Sequence, residues 1–113
     1  MIIILDSNEY LDYLNKKSNL LQKIFLNENL LISINDTIIR EVLRNIKELQ
    51  KKEFYNLLFE YKVSFYGEKL SFGLLAKYKK FGLKKGDIAI ASFCEVIKAD
   101  YLISENRHFL KSR

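Results

Sequence analysis

Short apolar runs alternate along the chain with longer segments whose apolar residues recur at helical spacing. Four such runs cover residues 2–5, 30–33, 63–66 and 101–103, and the last of them is bounded by polar residues. Such runs are typical of buried strands in a parallel sheet. The first run, Ile2–Leu5, is almost entirely β-branched, so we predict that it forms a central strand.

Six further segments have the pattern of helices. They cover residues 9–14, 20–25, 36 to about 49, 54–61, 70–81 and 87–97, and Asn35 or Asp36 is the predicted N-cap of the third. The last helix begins at Asp87 and is apolar nearly all round, which predicts a position inside the fold. Strands that alternate with helices predict an α/β protein in which helices cover both faces of a parallel sheet.

The composition indicates a single globular domain over residues 1–113. Apolar residues make up 49% of the chain and charged residues 29%, which argues against a disordered protein. The chain has no proline and little glycine, so no segment has the composition of an interdomain linker. The net charge of +5 permits an acidic partner such as nucleic acid but does not require one.

Two features bear on the location of the protein in the cell. Cys94 is the one cysteine, so no disulfide can form within the chain, and a lone thiol on an apolar helix fits the reducing cytoplasm. The first apolar run is too short for a membrane span and lacks the basic flank and cleavage site of a signal peptide. We therefore expect a cytoplasmic protein that does not bind a membrane.

Acidic and polar residues follow the predicted strands or lie near the starts of helices. They are Asp6 after the first strand, Glu41 near the start of the third helix, Asp87 at the start of the apolar helix, and Ser104, Glu105 and Asn106 after the last strand. Loops that follow parallel strands meet at one edge of the sheet, so these residues can converge. Converging carboxylates repel one another without a cation, and ligands made only of oxygen suit Mg²⁺ or Mn²⁺.

Such a cation can activate a water molecule and offset the charge on a phosphate under in-line attack. Each residue also has a purely structural interpretation, because Asp6 and Asp87 suit helix N-caps and Glu41 could be a solvated surface residue. His108 is the one histidine and has no cysteine or carboxylate at metal-ligand spacing, which argues against zinc. The chain also lacks a glycine-rich phosphate loop.

Taken together, these segments resemble the PIN-domain family of metal-dependent ribonucleases. The likeness begins with residues 2–8, IIILDSN, and continues with residues 38–43, IIREVL, around Glu41. It is strongest over residues 86–91, GDIAIA, and residues 99–109, ADYLISENRHF. The resemblance covers the chain nearly end to end, although its middle third carries little signal. It implies a PIN-like, three-layer α/β/α fold around a central parallel sheet of about four strands.

The resemblance also implies a ribonuclease site that hydrolyses RNA phosphodiester bonds with Mg²⁺ or Mn²⁺. The implied catalytic residues and metal ligands are Asp6, Glu41 and Asp87, with Asn106 as a weaker ligand. The implied site-ordering residues are Ser7, Asn8, Ser104 and Glu105. The residues expected to contact the RNA backbone are Lys84, Lys85 and Arg107. The family often has an aspartate where this chain has Asn106, whose amide oxygen can bind a metal but brings no charge.

Small stand-alone PIN domains are mostly VapC-type toxins of toxin–antitoxin pairs. This resemblance implies a homodimer that is neutralised by a small antitoxin protein. Residues 54–59 and the helix over residues 20–25 are candidate contact surfaces, although we expect most of their apolar residues to pack in the core.

Two other classes remain open. A PIN-like module that binds RNA or protein without cleaving RNA is favoured by Asn106, which replaces a charged ligand. A receiver-type domain also binds Mg²⁺ through clustered acids, but it needs a lysine after a later strand. Here Ser104 is followed by Glu105 and Asn106 instead.

Overall fold

The computed structural model describes residues 1–67 and 85–104, and it describes the side chains of all of these except residues 85–87. Within these ranges the chain forms four strands and five helices. The strands are β1 (Ile2–Leu5), β2 (Leu31–Asn35), β3 (Ser64–Tyr66) and β4 (Tyr101–Ile103). The helices are α1 (Ser7–Leu14), α2 (Leu20–Phe25), α3 (Asp36–Arg44), α4 (Glu48–Glu60) and α5 (Lys85–Val96). The predicted helix over residues 70–81 lies outside the described residues.

The four strands form one sheet in the order β3-β2-β1-β4, and every neighbouring pair is parallel. The prediction of an α/β fold with a central first strand is therefore confirmed. The strands and the five described helices are compatible with a three-layer α/β/α arrangement. Because all strands run in the same direction, their carboxyl ends lie at one edge of the sheet, where polar residues follow the apolar strands.

The predicted helix from residue 36 to about 49 is wrong, because the structure divides this segment between α3 and α4. The Asn45 side chain donates a hydrogen bond to the Glu41 carbonyl oxygen at 2.7 Å, and a side chain that binds the backbone in this way competes with helix continuation. Helix α4 then begins at Glu48, where Gln50 accepts the N–H of Lys47 and also donates to the Leu14 carbonyl oxygen. These contacts fix the start of α4 against the end of α1.

Three helices end in Schellman motifs whose left-handed residue is a lysine. Lys16, Lys62 and Lys98 have φ angles of 59°, 53° and 55°, at the ends of α1, α4 and α5. After α4, for example, the N–H of Lys62 binds the Phe59 carbonyl and the N–H of Val63 binds the Leu58 carbonyl. A chain with only four glycines therefore terminates these helices without one.

The core lies between the sheet and the helices. Helix α5 is buried along most of its described length, from Ile88 to Cys94, which confirms the prediction of an internal helix. The largest fully buried side chains are Tyr10, Phe54, Ile4, Leu5, Leu21, Ile34, Ile38, Ile90 and Val42. No helix in the described part of the chain is long and apolar enough to cross a membrane.

Burying the hydroxyl of Tyr10 in this core lowers the stability of the folded state. Its ring packs edge-on against Phe54 with centroids 5.5 Å apart, but its buried hydroxyl has no hydrogen-bond partner among the described residues. Burial raises the pKa of Tyr10 above its ordinary value of 10.0, because the ionised phenolate would lose its hydration. The folded state therefore keeps Tyr10 neutral at a pH at which the unfolded chain ionises.

We predict that Tyr10→Phe raises the free energy of unfolding by about 1–3 kcal/mol, because it removes an unsatisfied buried hydroxyl. Urea denaturation at pH 7 measures this change. The wild type should also lose stability as the pH rises above 10, and the variant should lose less, because its position 10 cannot ionise in the unfolded state. Tyr55→Phe is the control, since Tyr55 is 51% exposed and should change little. A destabilised Tyr10→Phe protein would contradict this account.

Candidate functional site

The strand register aligns four polar or aromatic residues in a row at the carboxyl edge of the sheet. Asn35 at the end of β2 pairs with Tyr66 at the end of β3. Continuing the register of β1 with β2 by two residues places Asp6 beside Asn35. Continuing the register of β1 with β4 by one residue places Ser104 beside Asp6. The row therefore reads Tyr66, Asn35, Asp6 and Ser104 across the four strands.

Asp6 is buried, with 6% of its surface exposed, and both of its carboxylate oxygens accept hydrogen bonds. Its Oδ1 accepts the N–H of Ser7 at 2.7 Å, and its Oδ2 accepts the hydroxyl of Ser104 at 2.8 Å. The backbone N–H of Asp6 also donates to the Ile103 carbonyl oxygen at 3.0 Å. The structural interpretation of Asp6 as the N-cap of α1 is thus confirmed. Capping leaves lone pairs on both oxygens, so it does not prevent metal binding.

The first turn of α1 carries a second buried carboxylate that the sequence analysis did not identify. Glu9 is 7% exposed, and its backbone N–H donates to the Asp6 carbonyl oxygen at 3.0 Å. An acid three residues after an N-cap has the spacing of a capping box, and this signal could have identified Glu9. The positive end of the helix dipole favours both carboxylates there. Ser7 is also buried, whereas Asn8 is exposed on α1.

Helix α3 turns Glu41 toward the interior. The helix begins after Asn35, whose side-chain oxygen accepts the N–H of Ile38 at 2.9 Å, so Asn35 rather than Asp36 is the N-cap. Ile38 lies one turn before Glu41 and Val42 lies next to it, and both are fully buried. The Oε1 atom of Glu41 is shielded from solvent, which argues against the interpretation of Glu41 as a solvated surface residue.

Helix α5 begins at Lys85, so Asp87 lies in the first turn of α5 rather than at its start as predicted. A carboxylate in that turn is favoured by the helix dipole. The side chains of Lys85 and Asp87 lie outside the described residues. The other predicted site residues outside the description are Lys84, Glu105, Asn106 and Arg107.

The structure therefore brings Asp6, Ser7 and Ser104 into direct contact. Among the residues whose side chains are described, no group of three or more acidic, histidine or cysteine side chains is close enough to hold a metal ion. The residues with described side chains do not include Asp87 or Asn106, which are two of the four predicted ligands. The donors of the predicted set are all oxygen atoms, and the buried Asp6 would gain from a nearby positive charge, so the set fits Mg²⁺ or Mn²⁺.

Neither a protein-family model, nor a curated protein, nor a solved structure matches this chain. The likeness to PIN domains therefore depends on the residues of this chain themselves.

We predict that Ser104→Ala lowers the free energy of unfolding by about 1.5–3 kcal/mol, because it removes a hydrogen bond to a buried ionised group. Chemical denaturation of the two proteins measures the difference. Ser64→Ala is the matched control, since Ser64 is exposed at the start of β3 and should change by less than about 0.5 kcal/mol. Equal stability of Ser104→Ala and wild type would show that the bond to Asp6 contributes nothing to folding.

Proposed function

We propose that this protein is a PIN-like, metal-dependent ribonuclease that hydrolyses RNA phosphodiester bonds. The observation that supports this most strongly is the buried carboxylate of Asp6 at the carboxyl end of the central strand, where Ser7 and Ser104 bind its two oxygens. In a parallel sheet this edge is where catalytic and ligand-binding residues gather. A simple helix cap needs only one of these hydrogen bonds, so the second, from a neighbouring strand, suggests a role in orienting the carboxylate.

In this proposal Asp6, Glu41 and Asp87 would hold a Mg²⁺ or Mn²⁺ ion, and Asn106 would contribute a weaker, uncharged ligand. The bound cation supplies Lewis acidity, which makes water a better nucleophile and offsets charge on the phosphate. The chain supplies the orientation of its oxygen donors. The Ser7 N–H and the Ser104 hydroxyl fix the two oxygens of Asp6, as outer partners of metal ligands commonly do.

The burial of Asp6 and the shielded oxygen of Glu41 would also limit the water around the reacting phosphate. Asp6 is almost fully enclosed, and one oxygen of Glu41 is shielded from solvent. Electrostatic interactions are stronger in such surroundings than in water. Lys84, Lys85 and Arg107 are the cations that we propose contact the RNA backbone, which would make RNA binding weaken as salt rises.

We further propose that the protein is the toxin of a VapBC-like toxin–antitoxin pair, acts in the cytoplasm as a homodimer and is neutralised by a small antitoxin. A groove of about 340 Å³ next to α4 supports a protein partner, and Tyr13 and Leu57 lie in its wall with the acids Glu53 and Glu60. On the same helix, Phe59 is 88% exposed, so part of the predicted contact surface over residues 54–59 is available.

The other part of that predicted surface is in the core. Phe54 and Leu57 are buried, as are Leu21, Ile24 and Phe25 of α2. The expectation that most of these apolar residues pack internally is therefore confirmed for α2, where Leu20 alone is more than a third exposed among the apolar residues of the helix. The exposed face of α4 is the better candidate for the antitoxin.

The decisive experiment is cleavage of a mixed pool of single-stranded RNA by the purified protein. We predict cleavage with Mg²⁺ or Mn²⁺, none with EDTA, and a loss of at least about 100-fold in Asp6→Asn, Glu41→Gln and Asp87→Asn. Even outer partners of metal ligands are typically worth about 10–100-fold. Asp12→Asn removes an acid from α1 outside the row and should cleave like the wild type.

Each variant must melt cooperatively, so that lost activity is not confused with lost folding. A folded wild type that binds RNA without cleaving it would favour the alternative of an inactive PIN-like module. In that case Asn106→Asp tests whether the uncharged ligand is the cause. A folded protein that neither binds nor cleaves RNA would overturn the proposed function.

A further inference from the structure

We propose that Tyr66 forms a subsite that stacks on an unpaired nucleobase of the RNA, beside the phosphate that is cleaved. This inference rests on the proposed ribonuclease function and extends it to the way in which the substrate is held. It concerns the end of the row at the carboxyl edge of the sheet, which the sequence analysis did not include in the site.

The register places Tyr66 within reach of a strand that is bound at Asp6. Tyr66 pairs with Asn35, and Asn35 lies beside Asp6 in the same row. Neighbouring strands are about 4.8 Å apart, so the backbones of Tyr66 and Asp6 are separated by roughly 10 Å. Asn35 lies between them and is buried as the cap of α3, so no exposed side chain from β2 separates the two positions.

The ring of Tyr66 is both supported and accessible. It packs against Phe93 of α5 with the ring centroids 5.7 Å apart and the planes tilted by 52°. Phe93 is buried, which holds it in place, while Tyr66 is 38% exposed. A ring that is fixed by the core on one side and open on the other is suited to stacking, and every base has a face that can stack on it.

Among the residues that the structure describes, the charges near Tyr66 favour a base over a phosphate as the bound group. Asp36 and Arg40, on the first turns of α3, form an exposed ion pair at 3.7 Å, so their charges offset each other. The adjoining ends of β2 and β3, over residues 33–35 and 64–66, contain no charged residue. A phosphate would need cations at this position, whereas an aromatic ring binds a neutral base.

Other exposed aromatic residues in the described part of the chain do not share this position. Phe65 precedes Tyr66 in β3, so its side chain points to the opposite face of the sheet. Tyr101 is 57% exposed at the first residue of β4, which lies at the amino edge of the sheet. Tyr101 is therefore a matched control for an exposed strand tyrosine far from the row.

The absence of tryptophan from the chain permits a direct test. In Tyr66→Trp the indole is the single tryptophan reporter, and a short single-stranded RNA added in EDTA should quench its fluorescence without being cleaved. An oligonucleotide of the same length made of abasic nucleotides should quench at least several-fold less at equal occupancy. Tyr101→Trp should not respond. The anisotropy of a labelled oligonucleotide reports binding independently of either tryptophan.

Steady-state kinetics of variants without the tryptophan reporter provide a second readout. Tyr66→Ala should raise the KM for RNA by about 5- to 150-fold, the range for loss of one base–aromatic stack. Its kcat should stay close to that of the wild type, and Tyr66→Phe, which keeps the ring, should restore the KM. A merely structural role of Tyr66 would not produce this separation of KM from kcat or the rescue by Tyr66→Phe.

The outcomes separate this inference from the proposed function. Cleavage with an unchanged KM in Tyr66→Ala, or equal quenching by normal and abasic RNA, would overturn the stacking subsite and leave the ribonuclease standing. Oligonucleotide binding without quenching at position 66 would do the same. If the folded wild type shows neither RNA binding nor metal-dependent cleavage, both proposals are overturned together.

Discussion

The contact on which the site depends is the hydrogen bond from Ser104 to the Oδ2 atom of Asp6. A carboxylate buried to 6% exposure is costly unless donors replace the water that it loses. Here one donor is the first N–H of α1 and the other comes from the end of a neighbouring strand. The bond from Ser104 exists only because β1 and β4 are parallel and in register, so the register of the sheet is the constraint that determines which polar groups meet at this edge.

That constraint also explains why the apolar and polar parts of the chain alternate as they do. β1 is apolar because it is central, with a strand on each side, and its polar residues begin where the sheet ends. Helix α5 is apolar from Ile88 to Cys94, apart from Ser92, because that part is enclosed. Its first turn instead contains a carboxylate, which the helix dipole favours. The same geometry brings the end of β3 level with Asp6, which gives the edge an aromatic residue as well as acids.

Much of this arrangement could be predicted from sequence, and the failures have local causes. The runs 2–5 and 101–103 are strands with the predicted bounds, because a short continuous apolar run that ends at a polar residue is typical of a buried strand. The division between α3 and α4 could not be predicted from apolar spacing, since Leu49 keeps the helical period yet is 90% exposed. The break depends on the Asn45 side chain, which binds the backbone of its own helix, and on Gln50, whose bond to the Leu14 carbonyl oxygen requires the tertiary structure.

The residues of the site also differ in whether the sequence could predict them. Asp6 and Ser104 could be predicted because each directly follows a strand, but Tyr66 is the last apolar residue of an edge strand and has no distinctive sequence pattern. The central claim, that these acids hold a divalent cation, is tested most directly by the melting temperature in increasing Mn²⁺. We predict that the wild type and Asp12→Asn are stabilised progressively, by about 2.7 kcal/mol at a hundred times the Kd, and that Asp6→Asn is not. An Asp6→Asn protein that responds to Mn²⁺ like the wild type, or a wild type that does not respond, would contradict the account.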